Sequence, residues 1–111
     1  MGKRIETVET GSGDVFVDLG VTDAGERKLR VQLAMRINEL LQERKLTQAR
    51  ASELFGIPQP HISELKHYKL NRFASERLMH FFTLLDKDVE IIIRPKAKGQ
   101  HFGSLSVLVA A

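Results

Sequence analysis

A chain of 111 residues with 42% hydrophobic and 28% charged side chains has room for one packed core and is composed like an ordinary globular domain. It contains no cysteine, which excludes disulfides, thiol nucleophiles and thiolate metal sites together. Its formal net charge of +3 is only mildly basic, so the placement of charge says more about partners than the total does.

The first 21 residues lack sustained helical periodicity and read as an N-terminal arm. Gly11-Ser12-Gly13 breaks it, and residues 14–20 alternate briefly, as an extended segment does when it presses Phe16 and Leu19 onto a body. No charged-then-apolar leader opens the chain, and no apolar run nears the roughly 20 residues that span a bilayer. A soluble cytoplasmic protein is expected.

A helix is expected from Asp23, with Glu26 at capping-box spacing, to about Arg44. Leu29, Leu33, Ile37, Leu40 and Leu41 form its apolar stripe; Arg36, Glu39 and Glu43 belong to a solvated face. Two short helices then fold across a sharp corner. Thr47 is placed to cap the first, Ala51, Leu54 and Phe55 to face inward, and Gly56 to stop it. Ile57 follows as an apolar plug, and Pro58 suits the start of the next helix because its missing amide hydrogen does no harm there. In that second helix Ile62 and Leu65 point inward, while Gln59, Pro60, Ser63, Glu64 and His67 point away.

After the corner, residues 67–72 read as a basic, polar connection. A fourth helix is expected from near Ala74 to Leu85, capped by Asn71 or Ser75 and burying Leu78, Phe81, Phe82 and Leu85. The period then changes to 2. Residues 88–95 have a strand signature bounded by Pro95, and 104–109 form a second strand candidate. A lone hairpin this rich in Ile and Val leaves a sticky edge, which pairing with a second copy of the chain relieves. Val89, Ile91 and Ile93 are therefore expected to dimerise the protein.

At the corner, Gln48, Ser52, Phe55, Gly56, Ile57, Ile62 and Leu65 together resemble the Cro/cI-type helix-turn-helix pattern of the XRE family, in register. The expected fold is accordingly mainly α: a Cro/cI-type helix-turn-helix bundle with a short C-terminal β element, dimeric, with the DNA-binding domain at 22–87 and the β element at 88–111. Such a motif presents the second helix to the major groove. Gln59, Pro60, Ser63, Glu64 and His67 are then the candidate base readers: a Gln amide can pair with adenine, a carboxylate accepts from the cytosine amino group, and proline touches only a thymine methyl. Gln48, Arg50, Lys66, Lys69 and Arg72 are the candidate phosphate contacts, which bring a salt-dependent attraction blind to sequence. The resemblance implies DNA contact at Gln48, Gln59, Pro60 and Glu64. Pro58 and Pro60 depart from the family's commoner hydroxyl residues and exclude amide contacts to phosphate at those places. A two-fold dimer sets two recognition helices about one DNA turn (~34 Å) apart and implies a palindromic operator.

The likeness extends further. Residues 14–20, the long helix, the corner and residues 88–95 together resemble a bacterial XRE subgroup commonly paired with toxins similar to the RelE and HigB ribonucleases. That resemblance implies an antitoxin repressing its own operon as a dimer. The rival readings are an XRE-type or phage-like repressor with no toxin, and a protein-only adaptor. An enzyme is not expected: Ser63 and His67 lie four apart on one helix, but no activating acid accompanies them. The four histidines (His61, His67, His80 and His101) lack ligand spacing and the glycines form no phosphate loop, so neither metal nor cofactor is expected.

Overall fold

Four helices make up the regular structure of the described residues: α1 (Asp23–Glu43), α2 (Gln48–Phe55), α3 (Gln59–Lys66) and α4 (Ser75–Leu84). The computed structural model describes residues 23–110, without the side chain of Asp23. The expected arm and the capping role of Asp23 lie outside the described residues. Leu29–Ile91 is one compact unit; residues 92–110 belong with 23–28 to a second.

α1 carries neither glycine nor proline from Glu26 to Glu43, and its stripe does what the spacing predicts. Leu33, Ala34, Ile37, Leu40 and Leu41 are buried and Leu29 is half-buried. The surprise lies in its polar residues. Arg30 donates from Nη1 to the Leu70 carbonyl at 2.9 Å, and Asn38 donates from Nδ2 to the Leu65 carbonyl at 3.3 Å. Just beyond the helix, Arg44 donates from Nη2 to the Leu85 carbonyl at 2.5 Å and to Asp86 at 3.1 Å. Carbonyls at helix C-termini have no partner within the helix. Two of these three acceptors, Leu65 and Leu85, close α3 and α4, so the polar side of α1 satisfies the ends of the helices it supports. On the other side Arg36 pairs with Glu39 and Glu43, which the sequence placed on a solvated face without pairing them.

Each of the four described helices stops in a similar way. A residue just past its end turns left-handed, and the following amide reaches back five residues to a carbonyl of the last turn. Leu46 N–H donates to Leu41 at 2.9 Å, Ile57 to Ser52 at 3.2 Å, Lys69 to Glu64 at 2.9 Å and Lys87 to Phe82 at 3.0 Å. Only α2 uses glycine for the turn, Gly56 at φ 70°; the others use Lys45 (55°), Tyr68 (61°) and Asp86 (62°). A side chain in that conformation costs roughly 1–2 kcal/mol.

The core is built on aromatics as well as aliphatics. Phe55 stacks on Phe81 with ring centres 4.3 Å apart, and Phe73 meets Phe81 edge-on at 6.0 Å. Arg77 lies over both Phe73 and Phe81, at 5.6 and 5.9 Å. Phe73 is fully buried and Leu70 nearly so, so the connection after α3 is basic on the outside only. Leu54 corrects the expectation in the other direction: it is 36% exposed, and Ala51 and Phe55 alone carry the inner side of α2. The N-cap of α4 is Ala74, with no side-chain cap hydrogen bond, so neither Asn71 nor Ser75 takes that place. Leu78, Phe81, Phe82 and Leu85 are buried as expected.

Neither expected C-terminal strand forms among the described residues. Residues 87–97 carry no regular structure, and a turn follows at 98–99, where Gly99 has φ 87°. A strand exists only when a neighbour takes its amides and carbonyls, and no described residue supplies one. The apolar side chains stay out: Ile91 is 74% exposed and Ile93 92%.

Candidate nucleic-acid interface

The corner between α2 and α3 is held by few atoms, each with a defined role. Thr47 accepts at Oγ1 from the Arg50 N–H at 3.1 Å, capping α2 as expected. Ser52 works at both ends of the bend. Its carbonyl accepts from the amides of Gly56 and Ile57, and its hydroxyl donates to the Ile57 carbonyl at 2.5 Å. Ile57 is buried behind the corner. Pro58 occupies the N-cap of α3, one place before the helix proper, and Pro60 sits inside the first turn. The Pro58 carbonyl accepts from His61 and Ile62, so proline starts the helix through its acceptor while lacking a donor.

α3 then divides cleanly. Ile62 and Leu65 are fully buried, each contributing roughly 1.5–3 kcal/mol of transfer free energy. Pro60, Ser63, Glu64 and His67 are spaced i, i+3, i+4 and i+7 on the opposite face. Gln59, Pro60 and His67 are exposed; Ser63 and Glu64 are half-buried. His61 is a flank residue, half-buried, with its Nδ1 enclosed and unbonded.

Two of the outer residues are committed to local partners. His67 Nδ1 lies 2.8 Å from the Ser63 carbonyl. A carbonyl only accepts, so that nitrogen carries the hydrogen and Nε2 is the one left for a ligand. The same contact disposes of a Ser63–His67 dyad, because the imidazole is engaged by the backbone and not by the hydroxyl. Glu64 is gripped by Arg72, with Nε donating to Oε1 at 2.5 Å and Nη2 to Oε2 at 3.2 Å. The hydrogen bond from Arg72 holds the Glu64 carboxyl below its ordinary range; desolvation opposes this, and the positive charges of Arg72, His61 and Lys69 add to it. Arg72 is pushed up in turn by the same bond.

The expected phosphate contacts fall into separate groups. Lys69 and Arg72 line a shallow hollow with Glu64, Tyr68 and Asn71 at the end of α3. Lys66 lines another, with Lys45, Asn38 and Gln42 at the end of α1. Arg50 is exposed and Gln48 half-buried in the first turn of α2. The sequence placed Lys69 and Arg72 in one basic connection, but spacing did not join Arg72 to Glu64, eight residues away, or Lys45 to Lys66, 21 away.

The chain matches the family described as "Helix-turn-helix domain" over residues 15–94. It is similar to a solved structure described as an XRE family transcriptional regulator, at 42% identity and a TM-score of 0.77, over 80% of this chain and 100% of that one. No curated protein matches it.

Proposed function

Because the chain belongs to the XRE family of helix-turn-helix regulators, we propose that it is a homodimeric repressor of its own operon, and the antitoxin of a toxin-antitoxin pair. The coarser part of this needs no proposal: it is a DNA-binding regulator and not an enzyme. No described helix is long and apolar enough to cross a membrane.

The observation that carries the reading is the two-sided character of α3, a polar outer face set against a fully buried back. In the proposed complex Gln59, Pro60, Ser63, Glu64 and His67 face base edges, and Gln48, Arg50, Lys66, Lys69 and Arg72 take phosphates. Residues 22–87 are the DNA-binding part and 88–111 the dimerisation part, with Val89, Ile91 and Ile93 pairing across the two-fold axis. The exposure of Ile91 and Ile93 supports that assignment, since aliphatic side chains left in water favour association by roughly 25 cal/mol per Å² covered. The antitoxin role is supported by the resemblance of residues 14–95 to the subgroup paired with RelE- and HigB-like ribonucleases.

The test is a mobility shift on DNA from upstream of the chain's own gene against scrambled DNA, over a range of salt. Tight binding that weakens steeply with salt and prefers the upstream DNA is expected. Equal binding to both would remove the repressor. Gln59→Ala with Glu64→Ala should relax the preference by roughly 1–3 kcal/mol per lost base contact while the fold stays intact. Calorimetric titration with a RelE-like ribonuclease encoded beside the gene decides the antitoxin role, and no heat of binding would leave a plain regulator.

A further inference from the structure

Glu64 was expected to read a base and Arg72 to hold a phosphate, as independent contacts. The structure joins them. Two donors of the Arg72 guanidinium meet the two oxygens of one carboxylate, at 2.5 and 3.2 Å. We infer that Glu64 and Arg72 act as one reading unit, in which Arg72 positions the Glu64 carboxylate to accept from an exocyclic amino group of cytosine or adenine. This rests on the proposal that the outer face of α3 meets the major groove.

Arg72 does not reach Glu64 by helical adjacency. The connection after α3 must be folded to bring it there, and four contacts fold it. Tyr68 turns left-handed, and Lys69 N–H returns to the Glu64 carbonyl at 2.9 Å. Arg30 holds the Leu70 carbonyl at 2.9 Å, which also accepts from Phe73 N–H at 2.9 Å. Phe73, the residue after Arg72, is fully buried against Phe81. The guanidinium therefore hangs from an anchored backbone, and the carboxylate it grips is held in place before any DNA arrives. Such preorganisation removes the cost of fixing a flexible side chain on binding.

The chemistry fits a reader. A carboxylate offers about four lone-pair directions and the fork occupies two, leaving acceptors for an amino donor. In the major groove only cytosine N4 and adenine N6 present one. An unpaired carboxylate would also meet the repulsion of nearby phosphates, whereas the pair is neutral. Arg72 keeps about three of its five N–H groups for a phosphate or for water.

The full chain, as wild type, Arg72→Ala, Arg72→Lys, Glu64→Gln and the double variant Arg72→Ala with Glu64→Gln, is selected on duplexes with a randomised core of about 20 base pairs, which holds two half-sites one turn apart. Bound duplexes are sequenced at low and high salt, and each variant's melting is followed to show that it is folded. At the position Glu64 reads, Arg72→Ala should lose the preference for an amino-bearing base by roughly 5- to 100-fold. Glu64→Gln should change preference at that same position, the double variant should do no worse there than either single one, and Arg72→Lys should keep affinity without restoring the preference. If Arg72→Ala weakens all sequences evenly and only lowers the salt slope by about 0.9, it is a separate phosphate contact and the inference is overturned. If wild type itself enriches no sequence, the reading of α3 has failed and the inference falls with it.

Discussion

The helical part and the C-terminal stretch are equally apolar in places, yet they treat their aliphatic side chains in opposite ways. Ile37 and Ile62 are fully buried, while Ile91 and Ile93 stand 74% and 92% exposed. Residue type cannot explain this; geometry does. A helix places i, i+3 and i+4 on one side, so the four described helices can wall in a core from a single chain. An extended segment shows successive side chains to opposite faces and leaves its backbone groups unpaired. The first solution is complete within one molecule. The second is not completed by any described residue.

Ile62→Asp should give the largest effect, because it places an unpaired charge at a fully buried site. A loss of at least roughly 4 kcal/mol is expected, most of the stability of a small domain, and circular dichroism should show no cooperative melt. A wild-type melting temperature would contradict the inward assignment. Phe73→Ala follows at about 3–5 kcal/mol by chemical denaturation, with Leu54→Ala beside it costing well under that. Were the two equal, the core drawn here would be wrong.

The tail is tested by Ile91→Ser with Ile93→Ser. Folding stability of the full chain, measured at concentrations where it is monomeric, should change by less than about 0.5 kcal/mol, as at an exposed site. Association, read by sedimentation, should weaken by roughly 1.5–3 kcal/mol for each isoleucine covered in the dimer. An unchanged association constant would remove these side chains from the proposed dimer contact. Tyr68→Gly goes the other way. It relieves a left-handed side chain, offset by the greater freedom of glycine in the unfolded chain, and should stabilise by about 0.5–1 kcal/mol.

The smallest effect is one of pH. The folded Glu64 carboxyl lies below its ordinary value of 4.5 through the bond from Arg72, so its contribution is complete above that value and is lost as pH falls through the folded one. In Arg72→Ala the Glu64 resonance should titrate closer to the ordinary range. No movement would mean that the pair is not formed in solution.

Much of this was legible in the chain. Thr47, Gly56, Ile57, Ile62 and Leu65 are local signals, each fixed by its neighbours within a turn, and all five occupy the places their chemistry suggests. What could not be read were the features made by distant partners. Nothing around Arg30, Asn38 or Arg44 reveals a carbonyl 27 to 41 positions away. Phe73 sits among polar residues with no period to mark it. Left-handed ends at Lys45, Tyr68 and Asp86 lack the glycine that would have announced them, and they persist because tertiary contacts outweigh a local cost. For the site, spacing separated the outer face of α3 from its back but could not show that Glu64 is already occupied.

The serine hydroxyl that spans the bend carries one more implication. Since Ser52 fastens the far side of Gly56 to the main chain at Ile57, the bend between α2 and α3 is braced within the chain itself. A bend braced in this way shifts the cost of a misfit towards the duplex. Sequences that flex easily at the centre of a site should therefore bind better even where no side chain touches them.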